Sequence, residues 1–142
     1  MLYLSSYFEK RKDLYYDNLS NTRVNNDLLQ WIKYFLVGVE QTASQAVSKL
    51  SSMIKLKENL ENNIRQNYGR RSVNAIQLLH SLFKKPIVTI DQASTICNIT
   101  YKAANDLVRK MNEDKIVIET TGHNRNRIFV FESYLSLFDT NE

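Results

Sequence analysis

One cysteine, one proline and three glycines stand in a chain of 142 residues, and each scarcity excludes something. The lone Cys97 cannot close an intrachain disulfide, and no run of Cys and His has the spacing of zinc ligands. Disulfide-framed secreted domains and metal fingers are thereby excluded, and a reducing cytoplasm is the expected setting. The glycines, Gly38, Gly69 and Gly122, fall in no phosphate-cradling pattern. The single proline, Pro86, leaves everything before it free of that helix breaker. No stretch approaches the ~20 apolar residues of a membrane span. The segment Met1 to Glu9 is too short and too polar for a signal peptide. A soluble cytoplasmic protein with no membrane partner is expected.

Charge is present in both signs, with a formal net of +4, and its distribution says more than its total. Residues 1–68 carry nine Lys/Arg against seven Asp/Glu, whereas 69–131 carry ten against five. The second half is the basic one. A basic excess draws polyanions without naming them, and a solvated basic face would look the same.

The first half reads as helix throughout. Ile32, Leu36, Val39, Ala43, Ala46, Leu50, Met53, Leu60 and Ile64 recur at alternating spacings of three and four, interrupted by Lys57, so a long helix is expected from Asn26 to Gln66. Tyr7, Phe8, Leu14, Tyr15 and Leu19 predict an earlier helix over 5–19. The long stripe is either one face of a core or a seam for a partner. Trp31, Tyr34, Phe35, Leu36 and Val37 are more apolar volume than a few helices can hide. A homodimer, or a rigid docking surface, is therefore expected on the face bearing Trp31 and Phe35.

Near Asn67-Tyr68-Gly69-Arg70-Arg71 the period changes, which sets a division into 1–68 and 69–142. Ser72 to Phe83 places Val73, Ile76, Leu79 and Phe83 on one helical face, and Ile87-Val88-Thr89 is a short β-branched run. Thr89-Ile90-Asp91-Gln92 has capping-box spacing ahead of a helix over 90–96. Cys97-Asn98-Ile99 turns, Thr100 caps, and a further helix runs from Tyr101 to Asn112 with Ala104, Leu107, Val108 and Met111 inward. Strands over 116–120 and 127–131 flank the loop Thr121 to Asn126. The fold class this predicts is mainly α with a small β wing: a helical segment followed by a winged helix-turn-helix over about 71–138.

In a helix-turn-helix the second helix enters the major groove of duplex DNA, its outward residues read base edges, and basic side chains hold phosphates. The outward set here is Tyr101, Lys102, Asn105, Asp106 and Arg109. Asn105 suits adenine and Arg109 guanine, Lys102 brings a cation near the helix start, and Asp106 opposes phosphate. Arg125 and Arg127 in the wing are placed to grip a phosphate or enter the minor groove. The competing reading is a protein-docking module, which Asp106 favours.

Leu2-Tyr3-Leu4-Ser5-Ser6-Tyr7-Phe8-Glu9-Lys10, then Tyr15-Tyr16 and Leu19, resembles the segment that follows the catalytic loop in Fic-family proteins. Trp31 to Leu36, with Gly38-Val39, Thr42-Ala43 and Ala46, is similar to that family's next stretch. The second half resembles the winged helix of its longer members, down to Thr121-Gly122-His123-Asn124-Arg125-Asn126-Arg127. The resemblance implies the carboxy-terminal portion of a protein that moves AMP from ATP, with magnesium, onto a hydroxyl of a protein substrate. The family's catalytic loop, His-x-Phe-x-Asp/Glu-Gly-Asn-Gly-Arg, does not occur in this chain, nor does its inhibitory Ser/Thr-to-Glu pattern. The resemblance thus places catalysis, ATP and magnesium upstream of Met1. It implies no catalytic residue, cofactor or metal site in this chain, which is expected not to be an enzyme by itself. His80 and His123 lack the surrounding motif, and a Cys97–His pair would need a convergence the spacing does not show. Cys97 reads as a small buried hydrophobe.

Overall fold

A computed structural model describes residues 4–122 and 126–138. It is mainly α-helical with one small antiparallel sheet, and it divides into two compact units, Met1–Ser51 and Ser52–Glu142. The division falls inside a helix rather than at residue 68. The reason is that Ile64 and Tyr68 are core residues of the second unit, with Leu56 and Leu60 packed against that core.

In the first unit α1 (Leu4–Lys10) and α2 (Lys12–Asn25) replace the single helix expected over 5–19. Arg11 leaves helical geometry at φ −123°, ψ 40°, and its guanidinium lies 4.2 Å from the ring centre of Tyr7. Asn26 adopts the left-handed conformation that Asn tolerates, and Asp27 Oδ1 accepts the N–H of Gln30 at 3.0 Å, opening α3 (Leu28–Asn67). Phe8 stacks on Phe35 at 5.8 Å and meets Tyr34 at 5.6 Å, while Tyr15 sits edge-on to Trp31 at 5.2 Å. Trp31 and Phe35 are therefore partly covered by α1 and α2, and Phe35 keeps 39% of its surface exposed.

Leu29, Ile32, Leu36, Val39, Val47 and Leu50 are exposed, with Leu36 and Leu50 each 57% accessible. The three-four stripe is thus core at its end, where Ile64 is fully buried, and solvent-facing along residues 29–50.

In the second unit α3 ends at Asn67, and Gly69 takes a positive φ of 50° in a single 3-10 turn, Gly69–Arg71. Then follow α4 (Ser72–Leu82), β1 (Ile87–Thr89), α5 (Ile90–Cys97), α6 (Tyr101–Glu113), β2 (Ile118–Glu119), β3 (Ile128–Val130) and α7 (Glu132–Leu135). The sheet order is β1-β3-β2, antiparallel throughout, with Val88 opposite Phe129 and Ile118 opposite Val130. Ala75, Leu78, Leu79 and Leu82 form the buried face of α4. Of the inward set expected there, Leu79 is buried and Ile76 and Phe83 flank the core, but Val73 is 72% exposed.

β2 is shorter than the expected 116–120 because the chain first has to close α6. Lys115 turns through φ 57°, and the N–H groups of Ile116 and Val117 both point to the Met111 carbonyl, at 2.8 and 3.3 Å. Their side chains remain in the core, joined by Phe129 and Phe131.

Glu61 ties α3 to α4 within this unit. Its Oε1 lies 2.6 Å from His80 Nε2 and 3.8 Å from Lys57 Nζ, and its Oε2 is 3.7 Å from Arg65. The hydrogen bond from His80, with those cations behind it, holds the Glu61 carboxyl below its ordinary value. A carboxyl depressed on folding stabilises fully above its unfolded pKa, near ~4.3, and loses that contribution as pH falls through the folded value. Thermal stability is expected to decline across that acid window, and Glu61→Gln to flatten the decline in a melting series from neutral to acid pH. An unchanged acid limb in the variant would remove this role from Glu61.

Candidate nucleic-acid interface

The turn between α5 and α6 is built from local bonds that fix how α6 is presented. Thr89 and Gln92 form the expected capping box at the start of α5: Gln92 N–H donates to Thr89 Oγ1 at 3.3 Å, and Thr89 N–H to Gln92 Oε1 at 3.1 Å. Asn98 takes the left-handed conformation, Ile99 N–H returns to the Ser94 carbonyl, and Ser94 Oγ donates to the Ile99 carbonyl at 2.6 Å. Thr100 Oγ1 then accepts the Ala103 N–H at 3.3 Å, capping α6. Ala104, Leu107, Val108 and Met111 are buried, which turns the opposite face outward.

On that outward face Tyr101, Lys102 and Arg109 are exposed, and Asn105 and Asp106 are half-buried. Arg109 Nε lies 3.7 Å from Glu113, one turn further along. Lys110, on the flank, is paired with Asp114 at 3.4 Å and lies over the Tyr68 ring at 4.8 Å. Among the described residues, Lys102 is the cation of α6 with no ion pair. Arg125, with His123 and Asn124, lies outside the described residues.

Two of the predicted contacts are brought together. Arg127 Nη2 donates to Asn105 Oδ1, and Arg127 Nη1 is 3.8 Å from Glu119 Oε2, with the guanidinium 5.6 Å from the centre of the Phe129 ring. Glu119 is itself fastened, its N–H donating to Asn112 Oδ1 at 3.0 Å. Sequence reasoning passed over Glu119 and Asn112. The available signal was the spacing of Asn105 and Asn112, seven residues apart and so about two turns along one side of a helix.

No protein-family model matches the chain.

Among the described residues, the nucleophile and acid–base candidates Cys97 and His80 are engaged with different partners. Cys97 is buried, its Sγ donates to the Asn74 carbonyl at 3.3 Å, and burial pushes its thiol pKa up, away from thiolate chemistry. His80 is engaged with Glu61. No helix among the described residues is long and apolar enough to cross a membrane.

Proposed function

We propose that the second unit is a winged helix-turn-helix that binds duplex DNA, presenting α6 to the major groove and the β2–β3 hairpin to the adjacent backbone. On this reading it is the carboxy-terminal part of a Fic-family protein and positions or regulates the attached adenylylating domain. The observation that carries the reading is the outward face of α6, where Tyr101, Lys102, Asn105 and Arg109 share one side of a capped, well-packed helix. The supporting arrangement is the order α4-β1-α5-α6-β2-β3 with a β1-β3-β2 sheet.

The test is salt-dependent binding of the chain to duplex DNA. Arg109→Ala is expected to cost about 1–3 kcal/mol and relax preference at one base pair, while Lys102→Ala weakens all sequences alike and lowers the salt slope by about one. Asp106→Ala should tighten nonspecific association. Indifference of DNA affinity to all three substitutions would end this reading.

A second reading, a protein-docking module, is favoured by two observations. Arg109 and Lys110 spend charge on Glu113 and Asp114, which thins the cationic surface a phosphate backbone needs. Between α4, β1 and α5 lies a cleft of about 370 Å³ with apolar walls from Leu78, Leu82, Ile87 and Ile96 and with Lys85 and Asp91 also in its lining. Ile87→Asp, which places charge in the cleft, would abolish a protein partner's binding and leave DNA affinity in place.

For the helical unit, the bare stripe of Leu29, Ile32, Leu36, Val39 and Leu50 is assigned to the remainder of the Fic domain that residues 2–46 resemble, rather than to a second copy. The chain alone is then expected to be monomeric and to bind an apolar dye through that stripe. A dimer by light scattering that dissociates on Leu36→Glu and Leu50→Glu would give the face to a homodimer instead.

A further inference from the structure

We propose that Arg127 is a positioning residue: it clasps the hairpin to α6 and fixes the side-chain amide of Asn105 with its nitrogen outward. What Asn105 then does with that nitrogen rests on the DNA-binding reading; the clasp itself does not.

The direction of the amide follows from the chemistry of its partner. A guanidinium carries donors and no acceptor, so the Asn105 atom turned to Arg127 Nη2 must be the carbonyl Oδ1. Nδ2 is thereby directed away from Arg127, and among the described residues it has no hydrogen-bond partner. An Asn free in solution turns about its last bond and offers either edge. Held by Oδ1, it offers a fixed N–H donor, suited to an acceptor on a base edge such as a purine N7. The ordering this requires is already present before any ligand arrives.

Arg127 is itself kept in place from three sides. Its side chain is 27% exposed, its second nitrogen faces Glu119, and its guanidinium lies near the buried Phe129 ring. The Glu119 backbone N–H is anchored to Asn112, so two asparagines of α6 hold the hairpin, Asn112 at β2 and Asn105 at Arg127, just before β3. The positive charge of Arg127 is thus turned toward a carboxylate, and its removal takes away no phosphate contact.

A phosphate contact and a positioning residue leave different signatures. The full chain, Asn105→Ala, Arg127→Ala, the double variant and Arg127→Lys are titrated across a salt series into a duplex enriched from a random pool and into an unrelated duplex. In parallel, nitrogen-edited NMR of the free protein follows the Asn105 Nδ2 protons and the rotation of the Arg127 guanidinium. Arg127→Ala and Asn105→Ala are each expected to lower the enriched-to-unrelated affinity ratio about tenfold. The double variant should be no worse than either single one, as befits residues acting as a unit. The salt slope should equal the parent's, and Arg127→Lys should not restore discrimination, because an ammonium lacks the planar fork that reaches Asn105 and Glu119 together. In the free protein the guanidinium should rotate slowly, and the Asn105 amide signals should move in Arg127→Ala.

A slope lowered by about one, with Arg127→Lys restoring affinity, would make Arg127 a phosphate contact and overturn the proposal. A freely rotating guanidinium in the unliganded parent overturns it without reference to DNA. A slowly rotating guanidinium in a parent that binds neither duplex upholds the clasp and ends the DNA reading instead.

Discussion

Phe131→Ala is expected to cost the second unit about 3–5 kcal/mol, enough to unfold much of it at moderate temperature. The ring is fully buried, edge-on to Phe83 at 5.2 Å and stacked on Tyr134 at 5.5 Å. The same residue's N–H donates to the Pro86 carbonyl at 2.8 Å, extending the β1–β3 pairing by one step. Truncation leaves a cavity at the junction of α4, the sheet and α7, a region already committed to neighbours that cannot collapse inward. Urea unfolding followed by near-ultraviolet signal measures the loss. Val73→Ala, at a site 72% exposed, is the matched control and should stay within about 0.5 kcal/mol. A loss at Phe131 as small as that of the control would mean the aromatic cluster is not what holds this unit.

Gly38→Val is expected to separate α1 from α3 in the first unit, at about 1–3 kcal/mol for the overpacking. A Cβ at this position would stand 2.9 Å from Tyr7 Cε1, 3.0 Å from Tyr7 Cδ1 and 3.3 Å from Phe8 Cε1. The Tyr7 ring has little room to yield, since it is packed edge-on to Phe8 at 5.4 Å and beneath Arg11. Trp31 is the single tryptophan of the chain and lies in the same aromatic group, so its emission reports the event directly. Emission and melting temperature matching the parent would show that α1 does not depend on the close approach at Gly38.

The elements legible in the sequence were those whose causes are local. The capping box of Thr89 and Gln92, the Thr100 cap and the inward set Ala104, Leu107, Val108 and Met111 depend on contacts within a few residues, and all are found as the pattern predicts. Val73 misled because helical spacing gives a face only to within a side chain, and the core selected the neighbouring ridge through Ala75, Leu78 and Leu82. The short β2 was hidden by the Lys115 turn, a positive φ at a residue that rarely signals one. For the candidate site, the exposure of Tyr101, Lys102 and Arg109 could be read from helical phase. The meeting of Asn105 with Arg127, 22 residues apart, could not, because it depends on where the hairpin folds back.

The wet apolar stripe along α3 has a consequence for how this polypeptide behaves outside a cell. Sulfate and phosphate, which are excluded from protein surfaces, raise the drive to hide leucine and valine, whereas dilute urea lowers it. A protein with Leu29, Ile32, Leu36 and Leu50 in water will therefore salt out early and resist concentration in buffers rich in such anions.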